Sequence, residues 1–189
     1  MSGTLEFDIR DYWHTGAGHG SGRAVDDSVV RTRAGLPKVP GRTIKGLFRD
    51  AVAQCEELDQ LPAGTTRRLF GSALGTDRFE TEAGVLAFGS ATLSEEWEDY
   101  AQTKRGQRLM AGFFEELAST AVDSDGQAVE GTLRSIEVAV PLTLNATWKT
   151  RRDGDVSAAR RALETAAPLI RRLGKNRYRG LGRVCVSVH

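Results

Sequence analysis

The sequence predicts an α+β fold, a four-stranded antiparallel sheet with its two helices on one face. Three observations lead there. Apolar residues alternate with charged or polar ones over 5–9 and over most of 132–150, the period-two pattern of half-buried strands. Segments 44–58 and 156–173 repeat apolar residues at i, i+3, i+4 and i+7, as amphipathic helices do. With two further strands the order is strand, helix, strand, strand, helix, strand. Two split βαβ units of that kind make the ferredoxin-like plan, which RNA-recognition motifs share.

The first strand places Leu5, Phe7 and Ile9 on one face and runs toward Trp13. Four glycines in the eight residues 15–22 make a loop. Pro37 and Pro40 bias their predecessors away from helix, so 24–40 is an extended, basic excursion. Thr43 stands at a capping position ahead of Ile44, Leu47, Phe48, Ala51, Val52, Cys55 and Leu58, with Pro62 and Gly64 just past the end. Residues 66–70 make one helical turn closed by Gly71, and 84–93 read as the second strand. Residues 94–121 are acidic and then amphipathic around Leu109, Phe113, Phe114 and Leu117, which predicts a helix. A turn at 123–126 leads into one long strand region, 132–150, although Pro141 argues against continuous pairing there. Asp155 caps the helix 156–173, Gly174 ends it, and 183–188 is the last strand. The expectation is a single domain over 1–189 with insertions at about 14–42 and 94–131.

Composition removes several function classes. With 189 residues, a chain buries ~70% of its unfolded surface and needs no covalent staple. Cys55 and Cys185 are the only cysteines and there are three His, too few for a disulfide scaffold or a Cys- or His-rich metal centre. No run of ~18 apolar residues suggests a membrane span, and the amino-terminal residues do not read as a secretion signal. A cytoplasmic protein with free thiols is expected.

The net charge of +1 hides a segregation. Between 160 and 183, eight basic residues stand against Glu164 alone; between 23 and 49, seven stand against Asp26 and Asp27. The last strand of the expected fold lies beside the first, so both basic segments can share one edge, which suggests a phosphate-backbone partner. The plainer reading of the 160–172 charges is a solvated helix face. In the 174–183 loop, Gly174, Gly180 and Gly182 interleave with Lys175, Arg177, Arg179 and Arg183, which lets backbone and cations approach phosphates, and Tyr178 is placed to stack on a base. The loop does not follow the first strand, so a dinucleotide-binding fold is excluded.

Taken with Pro37, Val39, Pro40, Gly41, Thr43, Ile44, Lys45, Gly46 and Arg49, this loop resembles the RAMP superfamily of CRISPR effector proteins. That family carries a P-x-I/V-P-G-S-S-L-K-G-x-x-R stretch into its first helix and a G-x-x-x-x-R-G-x-G loop before its last strand. The segments Leu69-Phe70-Gly71 and 125–137 match as well, so the resemblance spans essentially the whole chain; Arg42 departs from the usual Ser. The run 24–31 looks most like the backbone subunit of type III complexes of the Csm and Cmr kinds, in which an Asp of an A-(I/V)-D-S-x-(V/I) loop cuts target RNA. The resemblance implies Asp26 as the cleaving residue. It also implies guide RNA, target RNA and other effector subunits, copies or relatives of itself included, as partners. For RNA binding the reading names Lys38, Arg42, Lys45, Arg49, Gly174, Lys175, Arg177, Arg179, Gly180, Gly182 and Arg183.

A loop carboxylate can accept a proton or hold a divalent ion. Mg²⁺ or another divalent ion is the expected cofactor, loosely held by Asp26 and Asp27, because one carboxylate does not hold it tightly. The plainer alternative makes both Asp residues solvated partners of Arg23, Arg31 and Arg33. Rival readings are a binding subunit that does not cut, a guide-processing ribonuclease using His14 or His19, and a single-strand RNA-binding domain outside CRISPR. Cys55 and Cys185 read as buried small hydrophobes, Trp13 and Trp148 as packing residues.

Overall fold

The computed structural model describes residues 2–16, 27–72, 82–119, 127, 134–151 and 155–189. The strands are β1 (Ser2–Ile9), β2 (Leu86–Phe88), β3 (Phe114–Ser119), β4 (Arg134–Ala139), β5 (Leu142–Thr150) and β6 (Val184–Val188). The helices are α1 (Gly41–Glu57), α2 (Thr65–Phe70), α3 (Glu95–Gln102), α4 (Lys104–Leu109) and α5 (Val156–Ala166), with 3₁₀ turns at Met110–Phe113 and Ala167–Leu169.

The main sheet has the order β2-β5-β1-β6 with every neighbour antiparallel. This is the ferredoxin-like arrangement expected from the alternation. β1 is central: Phe7 stands between Leu144 and Val186, and Ile9 between Leu142 and Val184. Because side chains alternate, one face of the sheet is a continuous apolar layer. Ile44, Phe48, Val52 and Cys55 of α1 and Ala159, Ala162, Leu163 and Ala166 of α5 are buried against it in one core. The opposite face carries Glu6, Asp8, Thr143, Asn145, Thr147, Lys149, Cys185 and Ser187, partly or fully exposed. An RNA-recognition motif stacks bases on sheet aromatics. This face has none and bears two acids beside Lys149, so the basic residues named for RNA binding lie elsewhere.

Several boundaries differ from the sequence reading. α1 starts at Gly41 with Pro40 at its cap position, so Thr43 lies inside the helix and donates its amide to the Pro40 carbonyl. Gly41 is needed by packing: a Cβ there would sit 2.3 Å from the Phe88 carbonyl of β2. The second strand shrinks to Leu86–Phe88, with single bridges at Ala91 and Thr92. The helix expected over 94–121 stops early, and Phe114–Ser119 pairs with Arg134–Ala139 as a second, two-stranded sheet. The 132–150 strand is two strands in two sheets, broken at Val140 and Pro141, because Pro has no N–H for the ladder. Pro168 turns the end of α5 into a 3₁₀ turn. Asp155 makes no cap hydrogen bond; its carboxylate is held by Arg68 of α2. Trp13, Trp148 and Cys55 are buried as expected, but Cys185 is exposed on the free sheet face. The turn expected at 123–126 lies outside the described residues.

Candidate nucleic-acid interface

The loop between α5 and β6 is fixed by its own glycines. Gly174, Gly180 and Gly182 have φ of +82°, +93° and +71°, the left-handed region that glycine enters without penalty. Leu173 donates its amide to Gly182 O at 2.8 Å, and Gly182 donates to Tyr12 O at 2.8 Å. A Cβ on Gly182 would lie 2.0 Å from Leu173 O, and one on Gly174 would lie 2.2 Å from His14 O. These two glycines let protein backbone approach protein backbone. Around Gly180 nothing lies within 4 Å, so it alone of the three faces open space.

Lys175 ties this loop to the distant excursion. Its amide donates to His14 O at 2.8 Å, and its ammonium donates to Asp27 Oδ2 at 2.6 Å. His14 is fully buried. Its Nδ1 sits 2.6 Å from the Glu137 carbonyl, which only accepts, so Nδ1 carries a proton. Its Nε2 lies 3.2 Å from Asp27 Oδ2 without hydrogen-bond alignment. Burial alone would raise the Asp27 carboxyl. The Lys175 hydrogen bond and charge, with the His14 ring beside them, outweigh it and hold the group below its usual value.

Glu137, which sequence reasoning did not single out, organises the same place from β4. Its amide donates to Asp27 O at 3.0 Å, and its carboxylate accepts from Val29 N at 2.9 Å and from Arg31 at 2.5 Å. Arg31 lies over the Phe114 ring, 3.5 Å from its centre. Only this β3–β4 sheet, absent from the sequence reading, could have revealed the role. Asp26 and His19 lie outside the described residues. Asp27 does not fit a divalent ion, because a cation on Oδ2 would stand against the Lys175 ammonium. Among the described residues no cluster of three metal-ligating side chains forms.

The remaining cations fall into two groups. Lys38, Arg42 and Lys45 approach and open α1, whose first turn contains no acid, and they make no hydrogen bond or ion pair through their side chains with a described residue. Arg49, four residues beyond Lys45 on the same face, reaches Gly71 O at 3.4 Å. On the other flank of α1, Leu47, Asp50 and Gln54 share a cleft of about 400 Å³ with Arg171, Arg172, Arg177 and Tyr178. Tyr178 is 89% exposed, with the Arg177 guanidinium 5.2 Å from its ring centre. Arg179 is exposed at the loop tip, and Arg183 is 3.2 Å from Asp11. The excursion and the loop thus meet at Asp27 and Lys175, while the α1 cations and the loop arginines flank α1 on two sides.

No helix among the described residues is long and apolar enough to cross a membrane. No curated protein matches the sequence. Solved structures do match the fold. A chain of a type III-B Cmr-beta complex bound to cognate target RNA aligns with a TM-score of 0.73 and 11% identity, covering 100% of this chain and 97% of that one. A chain of the apo state of Cmr-beta aligns at 0.71 and 12%, with 100% and 97% covered. A chain of a type IV-B CRISPR complex aligns at 0.64 and 12%, with 100% and 90% covered. The RAMP superfamily profile matches residues 6–185, which cover the α1 approach, the Asp27 segment and the glycine loop in a single span, and the chain belongs to that superfamily.

Proposed function

We propose that the chain is a guide-RNA-binding backbone subunit of a CRISPR effector complex of the type III kind. The observation that carries this is the set of cations Lys38, Arg42 and Lys45 around the amino end of α1, which have no side-chain partner among the described residues and which the helix dipole and their mutual repulsion both disfavour. A polyanion relieves both. The half-buried Arg177 and the exposed Tyr178 and Arg179 extend the surface with charge and a stacking ring. The fold neighbours come from CRISPR complexes, one of them bound to target RNA, which supports the same reading.

Within that role, Asp26 cuts the paired target. The loop carboxylate takes the proton of the attacking hydroxyl while cations offset charge at the phosphate. Asp27 is unsuited to the task, because its carboxylate is held ionised by Lys175 and has little basicity. A guide-processing role for His14 is disfavoured, since the ring is fully buried and faces the Glu137 carbonyl and Asp27.

Co-purification followed by sequencing of bound RNA tests the class: guide-length RNA with a repeat-derived end is expected, and random cellular RNA would point to a generic RNA-binding domain. Asp26→Ala in the assembled complex is expected to abolish target cleavage and leave guide retention intact. Cleavage that survives would make this a subunit that binds without cutting.

A further inference from the structure

We propose that the cleft between α1 and the 169–178 segment is a subsite for one unpaired guanine nucleotide of the bound RNA, and that Asp50 sets its base preference. The inference deepens the proposed function above and rests on it. The cleft holds about 400 Å³, within the ~300–1,000 Å³ of small-molecule sites. Buried Ala51 and Ile170, with half-buried Leu47, give it an apolar floor. Charge is divided between its walls. Asp50 and Gln54, exposed and one helical turn apart, stand on the α1 side, and Arg171, Arg172 and Arg177 on the other. The two walls do not neutralise each other. Asp50, Gln54 and Arg171 make no side-chain hydrogen bond or ion pair with a described residue, and Arg172 gives one N–H to Leu181 O at 3.2 Å.

Tyr178 completes the cleft with its exposed ring, and a preorganised turn presents it. Asn176 has φ of +55°, Arg179 N donates to Asn176 O at 2.8 Å, and the Leu173 amide on Gly182 O closes the base of the loop. A nucleotide matches this division of charge. Its phosphate accepts from the arginines, its base has a face for Tyr178, and its edge carries donors for the acid. A carboxylate only accepts hydrogen bonds. Among the four RNA bases, guanine offers two adjacent donors on its Watson–Crick edge, N1–H and the N2 amino group, and so engages both oxygens of Asp50. Adenine and cytosine set an acceptor nitrogen beside their one amino group, and uracil sets two carbonyls beside its N–H, so each turns an acceptor toward the carboxylate. The guanine donors must be free of a complementary strand, so the base in the cleft is unpaired.

The test measures binding of the full chain to short fluorescent oligouridines that carry one central guanosine, inosine or uridine. The guanosine RNA is expected to bind about tenfold more tightly than oligouridine, with the inosine RNA, which lacks the 2-amino donor, in between. Asp50→Asn is expected to abolish that preference and to leave the affinity for oligouridine unchanged. Tyr178→Ala is expected to weaken every RNA about tenfold. Free GMP, which lacks the other phosphates of a strand, is expected to compete poorly. GMP that displaces the guanosine RNA as effectively as unlabelled RNA does would mark a free-nucleotide site and overturn the RNA assignment. A wild-type chain without guanine preference, a preference that survives Asp50→Asn, or full affinity in Tyr178→Ala each overturns the site, and RNA binding that Lys45→Glu still abolishes leaves the proposed function standing. A wild-type chain that holds none of these RNAs, and no guide-length RNA in the assembled complex, removes the proposed function and the site together.

Discussion

The two basic segments of this chain use their glycines and cations in opposite ways. At α1, Gly41 is spent on close packing against β2 and the cations Lys38, Arg42 and Lys45 are left without described partners. In the 174–183 loop, Gly174 and Gly182 pack on protein carbonyls and much of the charge is already used inside the protein, Lys175 on Asp27 and Arg183 on Asp11, while Arg172 just before the loop donates to Leu181 O. Similar glycine- and cation-rich stretches thus hide different physics. One is a surface with unmet electrostatic demand, the other a folded clasp whose exposed Lys175 and Arg183 are already ion-paired, with Tyr178, Arg179 and Gly180 exposed beside them.

The largest effect that separates them is on stability. Gly182→Ala places a Cβ against Leu173 O in a left-handed backbone, and about 3 kcal/mol or more of stability is expected to be lost in thermal melts of the RNA-free protein. A melting temperature unchanged by that substitution would break the clasp description.

Lys45→Glu is the counterpart at α1. The isolated chain is expected to melt at or above the wild-type temperature, because a misplaced cation is gone, while guide RNA affinity falls tenfold or more and the log–log salt slope drops by about 1. Retained affinity with an unaltered slope would return Lys45 to an ordinary surface charge.

Gly180→Ala sharpens the contrast inside the loop. No atom lies in its way, but φ of +93° strains any L side chain, so a loss of about 1–2 kcal/mol is expected even without RNA. A loss seen only in the RNA-bound protein would instead place the Gly180 backbone against phosphate.

The smallest effect concerns the far side of α1. Glu56 accepts from Thr66 N at 2.9 Å and Gly64 N at 2.5 Å, which caps α2, and these bonds, that with Thr66 foremost, hold its carboxyl below its usual value. A lowered carboxyl stabilises the fold above its unfolded value and loses that contribution as pH falls through the folded one. Glu56→Gln is thus expected to cost about 1 kcal/mol at neutral pH and nothing at strongly acidic pH, by denaturation at each. Asp27 follows the same sign, so its tie to Lys175 persists through the neutral range.

Local pattern alone determined the ferredoxin-like core. Alternation at Leu5, Phe7 and Ile9 and the i, i+3, i+4 repeat from Ile44 to Cys55 survive in the structure because a half-buried strand or helix has one answer for which side faces the core. Even the break at Pro141 was legible, since a missing N–H is a property of one residue. The β3–β4 sheet was not, because Leu109, Phe113, Phe114 and Leu117 fit a helix as well as a strand until a partner strand supplies the hydrogen bonds. Nor was the frame around Asp27. Lys175, His14 and Glu137 lie far apart in sequence, and only the closing of β6 beside β1, with β4 bridged to Trp13 and Asp27, brings them within hydrogen-bond reach. Residue type announced that these groups carry charge; tertiary structure decided which of those charges are met inside the protein and which are left for a partner.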